Sequence, residues 1–187
     1  MIILGIDPGT IVTGYGVIEI DKRSANRFRL VEFGAIEAKK MDVMPKRLVT
    51  IFRRLSAVIE RTSPDECAIE SAFYDKNVQS AMKLGQARGV AVVAAELAEI
   101  PVAEYAPRLV KKAVTGNGNA SKAQVEFMVG KLVALGDEKQ KLPDAYDALA
   151  VALTHALRHR APGRAPTNWK QFIESHPERI KNVRKRS

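Results

Sequence analysis

Cysteine is all but missing from this chain. Cys67 is the only one in 187 residues, so no intrachain disulfide can form, and reducing, cytosolic conditions suit it. Long apolar runs are missing too. Val90 to Ala95 is far too short to cross a bilayer, and no basic segment precedes the apolar residues near the amino terminus. The sequence therefore predicts neither a membrane span nor export, and a cytoplasmic location. No repeat or low-complexity tract is present, and nothing in the composition divides the chain into two cores. Acids are scarce relative to bases: 21 Asp and Glu face 30 Lys and Arg, a formal net charge of +9. A polyanionic partner is expected, with solubility alone as the plainer explanation. Clustering favours the partner, since Arg158, Arg160, Arg164, Lys170, Arg179, Lys181, Arg184, Lys185 and Arg186 all fall in the last thirty residues.

What is present begins with Ile2-Ile3-Leu4-Gly5-Ile6-Asp7-Pro8-Gly9-Thr10. An Ile-rich run fits a strand covered on both faces, and Pro8-Gly9 forces the chain to turn immediately after Asp7. Gly14 to Ile20 and Phe28 to Ile36, separated by polar Asp21 to Arg27, read as a hairpin that makes three consecutive antiparallel strands. Apolar residues from Leu48 to Ile59 recur at helical spacing until Ser63-Pro64 stops them. Glu66 to Glu70 is short and β-like. A long helix over about 77–98 carries Gly85 and Gly89 on one face, against the sheet or against a second subunit. Pro101 to Tyr105 reads as a strand and Pro107 to Val114 as a short helix. Ser121 to Gln124 reads as a capping box that opens another helix, with Gly136 as its stop. A last helix runs from Asp144 to Arg158. The order β-β-β-α-β-α-β-α-α-α predicts an α/β fold: a mixed sheet flanked by helices.

Four acids stand where chemistry is possible. Asp7 and Glu70 each end an apolar strand, and Asp144 and Asp147 share the first turn of the last helix. Taken singly, each has a plainer reading as a turn cap or a helix start. Taken together, strands side by side and a helix laid across their edge would make four carboxylates converge, which demands cations. Mg²⁺ or Mn²⁺ prefers such oxygen ligands, and two ions about 3.5–4 Å apart clamp both sides of a phosphodiester in hydrolysis. Beside a basic surface, that set describes a nuclease.

Gly5-Ile6-Asp7-Pro8-Gly9, Ile69-Glu70, Lys83-Leu84-Gly85-Gln86-Ala87-Arg88-Gly89 and Asp144-Ala145-Tyr146-Asp147-Ala148-Leu149 resemble, in order and spacing, the RuvC family of Holliday junction resolvases. The resemblance implies an RNase H-like nuclease domain over 1–158, with a mixed five-stranded sheet of three antiparallel and then parallel strands. The basic tail 159–187, which matches no family motif, is expected to be loosely attached. It further implies a homodimer and paired symmetric nicking of four-way junction DNA in recombination and repair, leaving 5′-phosphate and 3′-hydroxyl ends. Asp7, Glu70, Asp144 and Asp147 would bind two Mg²⁺ ions, with Mn²⁺ as a substitute. Lys111 and Lys122 match lysines beside the phosphate, Lys122 in a catalytic role, and Phe73 matches an aromatic that stacks on a junction base. The RuvA–RuvB branch-migration complex is a further candidate partner.

Three features are set aside. His155 and His159 have metal-pair spacing but no third ligand. Gly116 to Lys122 lacks the order of a nucleotide-cradling loop, although a backbone contact to DNA phosphate stays open. Glu104 ends a strand but belongs to no motif. Two rival functions also stand: the Asp7-Pro8-Gly9-Thr10 turn fits actin-like ATPases and sugar kinases, which need two related lobes, and a basic face also fits a junction-binding protein without catalysis.

Overall fold

The computed structural model describes residues 1–20, 28–39, 42–71, 78–133, 135 and 142–158. Met1–Ala156 form one compact unit. The expected turn at 21–27, Phe73, Gly136, His159 and the tail 159–187 lie outside the described residues.

Five strands, β1 (Ile2–Asp7), β2 (Val12–Ile20), β3 (Phe28–Glu37), β4 (Glu66–Glu70) and β5 (Val102–Tyr105), form one sheet in the order β3-β2-β1-β4-β5. The first three are antiparallel, and β4 and β5 run parallel to β1. β1 is the central strand. Ile3, Leu4 and Ile6 are fully buried, as an apolar run covered on both faces requires.

Register decides which side chains meet. Asp7 pairs with Gly14, Gly5 with Gly16 and with Ala68, and Glu70 with Tyr105. Because successive residues alternate, Gly5, Asp7, Gly14, Gly16, Glu66, Glu70 and Tyr105 share one face, and Leu4, Ile6, Val17, Cys67 and Ile69 share the other. The second face packs under α1 (Met44–Thr62) and α2 (Val78–Glu96), through Ile51, Leu55 and Val58 of the first helix and Ala87, Ala91, Ala94 and Ala95 of the second. Cys67 is buried in that core, which pushes its thiol up to about 12 and makes it inert.

Helix boundaries follow local chemistry. α1 has Pro45 in its first turn and closes on Ser63 in the left-handed region, φ 43°, whose N–H donates to Ile59 O at 2.8 Å. α3 (Pro107–Thr115) closes on Gly116. The capping box forms as expected at α4 (Lys122–Val133): Gln124 N donates to Ser121 Oγ at 3.3 Å, and Ser121 N to Gln124 Oε1 at 2.9 Å.

α5 (Pro143–Arg158) lies on the first face and is buried nearly all round from Ala145 to Ala156. It approaches the sheet so closely that only glycine fits beneath it. A Cβ on Gly14 would stand 1.9 Å from the Asp144 carbonyl oxygen, and one on Gly5 2.2 Å from that of Ala148. The far end of the helix is tied down by His155, whose Nδ1 is 2.7 Å from the Tyr105 hydroxyl and whose Nε2 meets the Glu66 carboxylate. His155 is thus a buried residue with two side-chain partners, while His159 lies outside the described residues.

Gly85 and Gly89 do not pack on the sheet. Both are exposed, and a Cβ on either would meet nothing within 4 Å. The small residues that bring α2 onto the sheet are its alanines instead.

Candidate active site

β1 delivers Asp7 to the end of the sheet and β4 delivers Glu70 beside it, since the two strands are parallel neighbours. The turn after Asp7 is held by buried Thr13, whose hydroxyl donates to Gly9 O at 2.7 Å and accepts from Gly9 N at 3.3 Å. Above them, the glycine contact at Gly14 sets the first turn of α5. Because Gly14 pairs with Asp7, the Asp144 backbone rests on the residue next to that acid.

The electrostatics record the convergence. The Asp7 carboxyl is pushed up to about 8, first by burial, then by the charges of Glu70 and Asp147, with Asp144 adding to them. Glu70 is also raised, chiefly by burial, although its hydrogen bond with Asp7 and the nearby charges of Lys122 and Lys111 pull the other way. Asp7 therefore carries the proton of the pair and donates it to Glu70. Lys122, at the start of α4, places Nζ 2.9 Å from Asp147 Oδ2, and that contact raises the lysine.

All four acids named from sequence thus stand within electrostatic reach of one another, with Lys122 on Asp147 and Lys111 near Glu70. Among the described residues, no three carboxylates already enclose one point as a finished ligand cage. Their chemistry nevertheless suits a hard cation: oxygen donors only, partly buried, mutually repulsive, and relieved at present by a shared proton and a lysine.

A profile of the family described as crossover junction endodeoxyribonuclease RuvC matches residues 3–155. This chain belongs to the RuvC family. The protein of that description from Porphyromonas gingivalis is 45% identical over 187 residues, covering 96% of this chain and 97% of its own length. Its counterpart from Geotalea uraniireducens is 51% identical over 156 residues, covering 83% of this chain and 88% of its own. Among solved structures, Thermus thermophilus RuvC in complex with Holliday junction substrate superposes with a TM-score of 0.78 at 34% identity, over 86% of this chain and 95% of that one. The sheet is the RNase H-like sheet of these RuvC neighbours, as the sequence resemblance implied.

Two further charged residues near the acids carry no role from the sequence. Arg88 lies within the Lys83–Gly89 motif, and Glu104 ends β5 outside any motif. The structure joins them in an ion pair at the same end of the sheet. An acid at a strand end facing a helix that carries arginine was the available signal.

Proposed function

We propose that this RuvC chain is a structure-specific endonuclease that resolves four-way DNA junctions by paired symmetric nicks in recombination and repair, leaving 5′-phosphate and 3′-hydroxyl ends. The observation that carries the reading is the convergence of Asp7, Glu70, Asp144 and Asp147 around one strand end, in a family named for cutting crossover junctions. Those four carboxylates would hold two Mg²⁺ ions, or Mn²⁺ in their place, which when bound supply an activated water and neutralise charge on the scissile phosphate. To serve as a ligand Asp7 would give its proton to solvent, so ion binding and proton release would be linked. With Asp147 committed to an ion, Lys122 would be free to face the phosphate. Lys111 adds positive charge on the Glu70 side, and Phe73 is assigned to stacking at the junction centre. Nicking of a four-way junction, set against linear duplex and against ATP hydrolysis, tests the proposal. Turnover of ATP without nicking would favour the kinase-like alternative, and binding without either would favour a non-catalytic junction binder.

Lys122→Ala is expected to slow single-turnover nicking about 10²-fold at saturating junction, by analogy with losing one preorganised donor. A change confined to affinity and its salt dependence would make it an ordinary phosphate contact.

Two nicks related by a two-fold axis call for two sites, and a symmetric dimer supplies them. Val78, Met82, Gly85, Gly89 and Val93 form one exposed stripe along α2, with Val78, Met82 and Val93 at 69%, 66% and 50% exposure. Beside it, Leu48, Val49 and Phe52 of α1 complete an apolar groove of ≈ 370 Å³. A second copy of this chain is its occupant in this reading. Gly89→Glu should therefore convert dimer to monomer by sedimentation, without unfolding the subunit, because Gly89 is exposed and a Cβ there meets nothing within 4 Å. A dimer that persists would move the interface elsewhere.

The cytoplasmic location remains part of the proposal. Among the described residues, no helix is long and apolar enough to cross a membrane. RuvA–RuvB is kept as a proposed partner, to be tested by co-sedimentation with the full chain.

A further inference from the structure

Arg88 is placed unusually for a residue with no assigned task. It projects from α2, on the opposite side of the sheet from Lys122 and α5, and lines a small cleft of ≈ 110 Å³ together with Asp7, Glu70, Ser71, Leu84 and Pro107. One guanidinium nitrogen pairs with Glu104 on β5, while Nε is buried with no hydrogen-bond partner among the described residues. An orphaned buried N–H is costly and calls for an explanation. A brace between α2 and β5 made by a single nitrogen also leaves the rest of the guanidinium unused, because an arginine–carboxylate pair is strongest with both nitrogens of the fork engaged. Glu104 instead holds the head by one nitrogen at the mouth of an acidic cleft, with the side chain still 36% exposed.

The charge pattern says what belongs there. Asp7 and Glu70 line the cleft, and ions held there would engage the scissile phosphate itself, so the phosphates on either side of it need cations of their own. Lys122 serves the α5 side. Arg88 is the corresponding cation on the α2 side, and the cleft is far below the roughly 300 Å³ of a drug-sized ligand site, enough for a phosphate group and not for a splayed nucleotide.

We propose that Arg88 is a substrate-contacting residue that takes a non-bridging oxygen of a phosphate flanking the scissile one, and that Glu104 is its positioning residue. The inference rests on the nuclease reading above. It extends that reading by fixing which side of the acids the cut strand must cross.

The test replaces single phosphates around the cleavage point, one at a time, with neutral methylphosphonates, and measures single-turnover nicking by wild type, Arg88→Met and Arg88→Lys. Wild type should lose about 10- to 100-fold at one flanking position, the range of one charged hydrogen bond. Arg88→Met should show that same loss on the unmodified strand, no further loss at that position, and full sensitivity elsewhere. Arg88→Lys, which keeps charge and stem, should lie between, and carries the comparison alone if the methionine variant does not fold. Glu104→Gln should weaken the same position only. Wild-type rates for the Arg88 variants, or losses that simply add at every position, would overturn the proposal and leave Arg88 a brace. A wild type that nicks no junction would overturn the nuclease reading itself, and this inference with it.

Discussion

Asp7→Asn is expected to abolish nicking, a fall of about 10³-fold or more, while junction affinity stays within a few-fold of wild type. In the proposed site Asp7 holds an ion, and loss of one such ligand removes several kcal/mol of charge stabilisation, each ~1.4 kcal/mol being a factor of ten. The substitution leaves packing alone, because an Asn amide N–H donates to Glu70 as the protonated Asp7 carboxyl does. The same variant should gain stability where it loses activity. Asp7 rises from 3.8 to about 8 on folding, so it is neutral in both states at low pH. As pH climbs through that interval, the unfolded chain gives up the proton first, and stability is lost. Asn never ionises. Without divalent ions, Asp7→Asn should therefore match wild type near pH 4 and melt higher by several degrees above about pH 8, at roughly 2–4 °C per kcal/mol. Equal melting at both pH values, or retained nicking, would remove Asp7 from the centre of the site.

Gly5→Val should cost the fold itself. Its Cβ would stand 2.2 Å from Ala148 O and 2.7 Å from Ala152 N, and backbone cannot step aside as a side chain can. Overpacking of a well-filled core costs about 1–3 kcal/mol and more when relief is blocked. With α5 buried nearly all round, the expected loss is at least ~3 kcal/mol, or about 6–12 °C for a chain of this size. Gly130→Ala is the internal control. There a Cβ would meet only Leu135 Cδ1 at 3.9 Å, an ordinary contact, so relief of helix-interior glycine should add about 0.5–1 kcal/mol. Similar melting of wild type and Gly5→Val would show that α5 does not rest where the structure puts it.

Periodicity and punctuation made the elements readable. Apolar alternation, Pro45, Ser63-Pro64 and the Ser121–Gln124 box each act within a few residues, and the order of the ten elements among the described residues agrees with the reading. The family was legible from the motifs, which the profile match and the relatives support. What depended on long-range placement was not. Asp7 and Glu70 were assigned to strand ends, but only the sheet order makes them parallel neighbours. Gly85 and Gly89 suggested close packing on the sheet as one possibility, yet both are exposed and a Cβ on either meets nothing within 4 Å. Gly5 and Gly14, where the close approach does occur, carry no local sign of it, because the helix that needs them begins more than a hundred residues later. Glu104 looked idle because its partner sits sixteen residues back, across a helix.

The seat beneath α5 has a consequence at the level of the gene. Every amino acid other than glycine carries a β-carbon, so no missense change at codons 5 or 14 can avoid the carbonyl oxygens that already fill that space. In a saturation screen scored by cell survival after DNA damage, these two codons should be as intolerant as those of the four acids, although they contribute no reacting atom. Scoring protein abundance would part the two groups: the glycine variants should vanish from the cell, and the acid variants should accumulate as inactive protein.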